Sequence, residues 1–372
     1  MPDALAEATR HQPRARAALT AALAAGPSHA YLFRGPPGSG KRAAARAFAA
    51  ELLATEAPDP EDARRRAMIE PSPHPDLVWI APPGAQHLVD EVRESVIRAS
   101  SLRPAEGEHR AFVIEEAEGL RDESQNALLK TLEEPAAFAH LILVCSEPEL
   151  LAGTILSRCQ TVEFAPLAPE AVLEALEASG PEAESLARLS GGDLTLGRFL
   201  MSEGGSSLRA AAESAARAAR VEPPAKEPWR ALLQAAEEAG ADGGAEEERR
   251  LLEDVQAGAG RRGRSGKLTK DATDQVKRTA RRARTRALDL GLGLVCSWFR
   301  DLAAVASGAD DVLFNIDRRD ELAADAEGLD AAAARDAVEL VLDTRRRLRV
   351  NVSEELALEA LWLRLAETLA PA

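Results

Sequence analysis

The chain has 372 residues, 45% of them hydrophobic and 3% aromatic, and a formal net charge of −15. This length predicts two or three domains, and the apolar content excludes a disordered chain. The negative charge excludes a general nucleic-acid coat, and the sequence has neither a membrane span nor a signal peptide, so we expect a cytoplasmic protein. Three widely separated cysteines, Cys145, Cys159 and Cys296, predict reduced thiols rather than disulfides or a metal site.

The first part of the chain alternates short apolar runs with helical patterns. Apolar runs that end at Gly or polar residues are typical of buried strands, and helices between them are typical of crossovers. We therefore predict a parallel sheet with flanking helices over residues 1–166. The predicted strands are Ala30–Phe33, Asp76–Ile80, Arg110–Ile114, His140–Cys145 and Thr161–Phe164.

A glycine-rich loop joins the first predicted strand to an alanine-rich helix. It consists of Gly35, Pro36, Pro37, Gly38, Ser39, Gly40 and Lys41. Such a loop turns backbone N–H groups inward around phosphate oxygens, the helix start adds partial positive charge, and the lysine reaches the outer phosphates. The next residue is Arg42, where a Ser or Thr is needed to hold Mg²⁺. This departure indicates a nucleotide site that has decayed or never hydrolyses.

An acidic pair, Glu115 and Glu116, follows the third predicted strand. A strand that ends in acidic residues is the second signature of nucleotide hydrolases, in which the first acid is usually Asp. Glu115 is one methylene longer, which changes the geometry available to a metal ion. Without the glycine-rich loop, the same pair would be read as the start of a solvated loop.

Beyond residue 166 the pattern is helical. Residues 167–204 predict a short helical region, residues 205–228 a linker with one helix, and residues 229–372 a larger helical region. Gly204–Ser207 and the glycine-containing tract Ala239–Glu248 both look like loops. A basic run over residues 261–286 has two interpretations. In the first, it forms a solvated face or contacts acidic helices. In the second, it contacts DNA phosphates. No aromatic residues lie among these charges, so the run does not predict stacking on bases.

Four phrases in this order carry a resemblance to a known family. They are HAYLF-GPPGSGK at 29–41, HPDL at 74–77, NALLKTLEEP at 126–135 and TILSRC at 154–159. Together they resemble bacterial clamp-loader subunits, which are AAA+ proteins of the DNA polymerase III holoenzyme. The resemblance is dense over residues 29–164 and patchy after 277. It implies a RecA-like AAA+ domain, a small helical lid domain at 167–204 and an all-α collar domain at 229–372.

The resemblance also implies roles for individual residues. Arg158, in the Ser-Arg-Cys motif, corresponds to an arginine finger that acts in trans on a neighbour's ATP. Glu115 and Glu116 correspond to a degenerate Walker B pair. The ATP-hydrolysing gamma/tau subunits carry a Ser or Thr in place of Arg42, an Asp in place of Glu115, and a zinc module between residues 53 and 74. Because the chain departs at all three points, it resembles the non-hydrolysing stator subunit more closely.

The implied partners are gamma/tau and delta subunits in a hetero-oligomeric ring, with the sliding clamp and primed DNA reached through the complex and no membrane involved. The loop residues imply bound ATP or ADP, with or without Mg²⁺, and no zinc. Two alternatives stay open at the level of sequence. The chain could be a gamma/tau-like ATPase that works despite Arg42, or a module that binds nucleotide only for structural purposes.

Overall fold

The structure, a computed structural model, describes residues 3–82, 86–221, 224–259, 270–348 and 352–370. The chain divides into two compact units. The first comprises residues 1–171 and 192–194, and the second comprises residues 172–191 and 195–372. None of the helices in the described ranges is long and apolar enough to cross a membrane.

The first unit is built on a five-stranded sheet in the order β2-β3-β4-β1-β5. All four neighbouring pairs are parallel. The strands are β1 Ala30–Arg34, β2 Leu77–Ile80, β3 Arg110–Ile114, β4 Ala139–Cys145 and β5 Gln160–Glu163. The predicted parallel sheet with flanking helices is therefore confirmed. Its helices are α1 Ala4–Ala8, α2 Pro13–Ala25, α3 Lys41–Ala54, α4 Pro60–Met68, α5 Val89–Glu91, α6 Asp122–Glu133, α7 Gly153–Leu156 and the start of α8 Pro169–Ala175. A π-helical segment, Val92–Arg98, continues α5.

Each face of the sheet is covered by its own apolar core. Successive residues of β1 point to opposite faces, so Tyr31 and Phe33 join one core while Leu32 joins the other. On the first face, the Tyr31 ring packs edge-on against Phe48 of α3, with centroids 4.9 Å apart. Strands buried on both faces read as continuous apolar runs, which is why β1, β3 and β4 are visible in the sequence.

Three histidines cluster at the amino ends of β1, β3 and β4. His140 Nδ1 donates to the carbonyl of Ser28 at 2.9 Å, so its Nε2 is left to accept from His109 Nδ1, also at 2.9 Å. His29 stacks on His140, with ring centroids 6.2 Å apart. Burial lowers the pKa of His140 to about 4 from its ordinary value of 6.5. The folded protein therefore keeps this imidazole neutral.

We expect the neutral His140 to make stability depend on pH. Because the unfolded chain takes up a proton near pH 6.5 that the folded chain binds only near pH 4, the free energy of unfolding falls as the pH drops between these values. The slope contributed by one such group approaches ~1.4 kcal/mol per pH unit. Urea unfolding of the wild type and of His140→Gln between pH 4 and pH 7 measures it. Identical slopes in both proteins would contradict this prediction.

Helix α4 lies in the segment between residues 53 and 74. In this chain arginines hold the segment. Arg46 Nη1, on α3, donates to the carbonyls of Ala67 at 3.1 Å and Ile69 at 3.0 Å. Arg66, on α4, pairs with Glu106 in the loop that precedes β3. Hydrogen bonds and an ion pair thus anchor the carboxyl-terminal end of α4.

Among its described residues, the regular secondary structure of the second unit is helical. Its large core is centred on the buried side chains of Trp298, Phe299 and Trp362, and Trp362 Nε1 donates to the carbonyl of Ala215 at 3.1 Å. The helices that follow α8 are α9 Pro181–Leu189, α10 Leu194–Leu200, α11 Glu203–Val221, α12 Arg230–Ala259, α13 Lys270–Ala306, α14 Arg319–Ala326, α15 Ala331–Leu348 and α16 Glu354–Thr368.

A buried polar network lies inside this helical core. Arg209 of α11 pairs with Asp317 at 2.8 Å, and the two side chains are only 5% and 6% exposed. The Arg209 guanidinium also donates to Asn315 Oδ1 at 3.1 Å. Asp301 of α13, fully buried, accepts the backbone N–H groups of Phe314 at 3.0 Å and Asn315 at 2.8 Å. Charges at this depth are tolerated because each has several partners.

Two tracts that the sequence predicts as loops are helical. Gly204–Ser207 forms the first turns of α11, and Ala239–Glu248 lies inside α12. In the second tract the glycines face α13. A Cβ on Gly240 would lie 2.8 Å from Arg284 Cβ, and one on Gly243 would lie 2.8 Å from Ala283 Cβ. The glycines therefore allow close packing of two helices rather than marking a turn.

Candidate functional site

The glycine-rich loop runs from the end of β1 to the start of α3 and is closely packed at two glycines. A Cβ on Gly35 would lie 2.1 Å from the carbonyl oxygen of Phe164, next to β5. Gly38 has a φ of +64°, and a Cβ there would lie 1.8 Å from Asp193 Oδ1. Side chains are excluded at both positions, so the loop keeps the tight backbone path that a phosphate cradle needs.

The donors of a phosphate cradle are present in this loop. Among the described residues, the backbone N–H groups of Gly38, Gly40 and Lys41 have no hydrogen-bond acceptor. Lys41 is 5% exposed, and its Nζ donates to the carbonyls of Gly35 at 2.6 Å and Pro36 at 2.5 Å. Burial lowers the pKa of Lys41, opposed by the nearby carboxylates of Glu118 and Asp193. An anion with several oxygens would satisfy these donors, so the loop fits a phosphate group.

Gln12, which precedes α2, connects the glycine-rich loop to the segment after β5 by hydrogen bonds. Its Nε2 donates to the carbonyls of Ser39 at 3.0 Å and Ala165 at 2.6 Å, and its Oε1 accepts from the N–H of Ala165 at 3.1 Å. Ser39 Oγ in turn donates to the carbonyl of Pro36 at 2.8 Å. Sequence reasoning missed Gln12 because it lies far from the loop along the chain and belongs to no recognisable motif.

The two positions that would hold Mg²⁺ are bonded to each other. Arg42 Nε donates to Glu115 Oε2 at 3.0 Å, and the same oxygen accepts from Trp79 Nε1 at 3.0 Å. Arg42 pairs as well with Glu70, in the segment that follows α4. Arg46, one turn along α3, lies 3.6 Å from Glu70 and 4.3 Å from the centroid of the Trp79 ring. We call Arg42, Arg46, Glu70 and Glu115 the charge quartet.

A divalent cation does not fit the charge quartet. Mg²⁺ requires oxygen ligands in octahedral array, and here a guanidinium stands in place of the hydroxyl and occupies the carboxylate of Glu115. Among the described residues, no group of three or more His, Cys, Asp or Glu side chains could hold a metal ion. The i, i+4 spacing of Arg42 and Arg46 is a sequence signal for this quartet, whereas Glu70 and Trp79 join it only through the fold.

Glu116, the second acid of the predicted pair, directly follows Glu115 at the carboxyl end of β3. Its backbone adopts a left-handed conformation with a φ of +50°. Glu118, which the sequence did not single out, accepts the N–H of Ser146 at 3.1 Å and thereby links the ends of β3 and β4. Acidic groups and the glycine-rich loop thus both lie at the carboxyl ends of the parallel strands.

Arg158 lies just after α7 and outside the charge quartet. Its Nη2 is 2.6 Å from Glu133 Oε1, at the end of α6, and its Nη1 donates to the carbonyl of Thr154 at 3.0 Å. The side chains of Arg158 and Glu133 are 35% and 51% exposed. An ion pair this exposed contributes only ~0–1 kcal/mol, so a stronger acceptor could displace Glu133.

The basic run falls partly on α13, while residues 260–269 lie outside the described residues. Arg284 pairs with Glu354 of α16 and lies 3.7 Å from Glu237 of α12. Lys277 and Arg281 are exposed. The run therefore includes one arginine that contacts acidic helices, as one of the two interpretations requires, and others that face solvent.

Comparison with known proteins covers mainly the first unit. Residues 11–168 match the family model described as DNA polymerase III, delta subunit. The chain is 35% identical over 151 residues to DNA polymerase III subunit delta' of Bacillus subtilis, covering 40% of this chain and 46% of the relative. It is 34% identical over 191 residues to subunit delta' of Pseudomonas aeruginosa, covering 48% and 57%.

A tau subunit matches about equally well. The chain is 35% identical over 149 residues to DNA polymerase III subunit tau of B. subtilis, covering 39% of this chain and 26% of the relative. The chain thus spans about half or less of the length of these relatives, and identity alone does not separate delta' from tau. Residues 11–168, which hold the glycine-rich loop, the charge quartet and the Ser-Arg-Cys motif, are thus similar to the delta, delta' and tau subunits of DNA polymerase III.

Proposed function

We propose that the chain is a delta-prime-type stator subunit of a DNA polymerase III clamp loader. In this role it does not hydrolyse ATP itself but presents Arg158 to the ATP of a neighbouring subunit. Its partners are gamma/tau and delta subunits in a ring that places the sliding clamp on primed DNA in the cytoplasm. The observation that carries the proposal is the bond between Arg42 and Glu115, because it joins the two residues that a motor subunit uses to hold Mg²⁺.

This observation weighs against the alternative of a gamma/tau-like ATPase. Hydrolysis requires a metal ion that bridges the outer phosphates and neutralises the charge that develops on them. A guanidinium cannot lose its proton and offers no lone pair to a metal ion. Arg42 therefore provides charge but not coordination, and Glu115 is no longer free to act as a ligand.

Removal of the loop lysine tests the stator directly. In a loader reconstituted with gamma/tau and delta subunits, Lys41→Ala in this chain is expected to leave ATP turnover within about twofold of the wild type, because its own loop performs no chemistry. The purified chain alone is expected to be inactive. The matched control is the same substitution in the gamma/tau loop, which should remove turnover. Hydrolysis by the lone chain that Lys41→Ala abolishes would establish a motor subunit instead.

A further inference from the structure

We propose that the glycine-rich loop binds a nucleoside polyphosphate without a divalent cation, with the charge quartet in the place of the metal. This proposal concerns the loop of the chain itself and does not depend on the trans role of Arg158. Two observations motivate it. The loop has hydrogen-bond donors for phosphate, and the Arg42 guanidinium, bonded to Glu115, occupies the place of Mg²⁺.

The first step is the phosphate cradle. The unpartnered N–H groups of Gly38, Gly40 and Lys41 lie at the start of α3, a helix of 14 residues, and the Lys41 ammonium lies within the same loop. In the structure Lys41 Nζ uses two loop carbonyls as acceptors. Phosphate oxygens could replace either carbonyl, because a bond from the ammonium to a phosphate joins opposite charges, whereas a bond to a carbonyl does not. A loop that had lost phosphate binding would not need to keep these donors aligned.

The second step is charge. Two guanidinium groups, Arg42 and Arg46, face two carboxylates, Glu70 and Glu115, so the formal charge of the quartet is zero. A metal-dependent site has a different balance, because its carboxylate and hydroxyl ligands leave a negative charge that only the bound cation cancels. In this chain the side chains of Arg42 and Arg46 cancel the negative charge of the two carboxylates. Phosphates can approach the loop without first recruiting a cation.

The third step is rigidity. Arg42 is held by Glu115 and Glu70, and Arg46 donates to the carbonyls of Ala67 and Ile69 while it lies over Trp79. Arg42 can leave this position only by giving up its bonds to both Glu115 and Glu70, and Arg46 only by giving up its bonds to two carbonyls. Mg²⁺, which gives up its water shell reluctantly, has no ligand set here that would repay that loss.

Binding of ADP to the full-length chain in excess MgCl₂ and in excess EDTA tests the proposal. The expected result is a Kd that differs by less than about threefold between the two buffers. The double variant Arg42→Thr/Glu115→Asp, which installs the usual metal ligands, is expected to bind ADP at least about tenfold more tightly with Mg²⁺ than without it. Lys41→Ala is the negative control and should lose ADP binding in both buffers.

Two outcomes would overturn the proposal. One is a wild-type chain that binds ADP only when Mg²⁺ is present. The other is a folded wild-type chain that binds no ADP in either buffer. Neither outcome affects the turnover of the assembled loader with Lys41→Ala, which tests the stator, so failure of one proposal is distinguishable from failure of the other.

Discussion

Replacement of Arg158 with alanine is expected to lower ATP turnover by the assembled loader by about 10³-fold at each site that this arginine completes, the lower range for an arginine finger. The physical reason is that a guanidinium in trans stabilises charge on the transferred phosphoryl group only in the transition state. Its bond to Glu133 in the isolated chain is exposed and weak, so it is readily exchanged for phosphate oxygens. DNA-stimulated turnover of loader containing wild type or Arg158→Ala measures the effect.

Two further variants separate a finger from a merely structural arginine. Arg98→Ala removes an arginine whose side chain is 73% exposed and paired within one helix, and it should leave turnover unchanged. Glu133→Gln removes the carboxylate that holds Arg158 and should preserve turnover or raise it. Size-exclusion chromatography checks that each ring assembles. An intact ring with undiminished turnover in Arg158→Ala would refute the trans role.

Replacement of Arg209 with methionine is expected to lower the free energy of unfolding by about 3–5 kcal/mol, the usual cost of breaking a buried ion pair. The substitution keeps much of the apolar stem but leaves Asp317 buried without its main partner. Although burial alone raises the pKa of Asp317, hydrogen bonds and charge from Arg209 lower it, so this carboxylate is ionised in the fold. Urea unfolding followed by circular dichroism measures the loss.

A matched control and a rescue sharpen this prediction. Arg347→Met removes an arginine that is 63% exposed and pairs with Asp343 on the same helix, and it should cost less than about 1 kcal/mol. Arg209→Met combined with Asp317→Leu should recover part of the loss, because apolar replacement of a whole buried pair is often neutral. Equal losses for Arg209→Met and Arg347→Met would mean that burial of the network contributes little.

The strands were the most predictable part of the fold. Four of the five are short, mainly apolar runs, and each observed strand lies within a residue of its predicted ends. The predicted loop at Ala239–Glu248 was wrong for a physical reason. Glycine weakens an isolated helix, but packing of α12 against α13 outweighs that preference, and local sequence does not report the partner helix.

The candidate site was predictable wherever its residues are adjacent in sequence. The glycine-rich loop matches a known pattern, and Arg42 and Glu115 are visible as departures from that pattern. Their bond to each other was not, since Arg42 and Glu115 lie on different elements that only the parallel sheet brings together. Glu70, Trp79 and Gln12 join the site in the same way, through long-range contacts with no sequence signature.

The glycines of α12 have a consequence for how this part of the chain can change over time. Gly240, Gly243 and Gly244 face Ala280, Ala283 and Arg284 on α13, where any added side chain would push the two backbones apart. These close contacts fix how α12 and α13 are aligned along their lengths. Exposed positions such as Glu246, Lys277 and Arg281 are under no such constraint. We therefore expect evolution to change the exposed charged residues of α12 and α13 more often than the residues where the two helices touch.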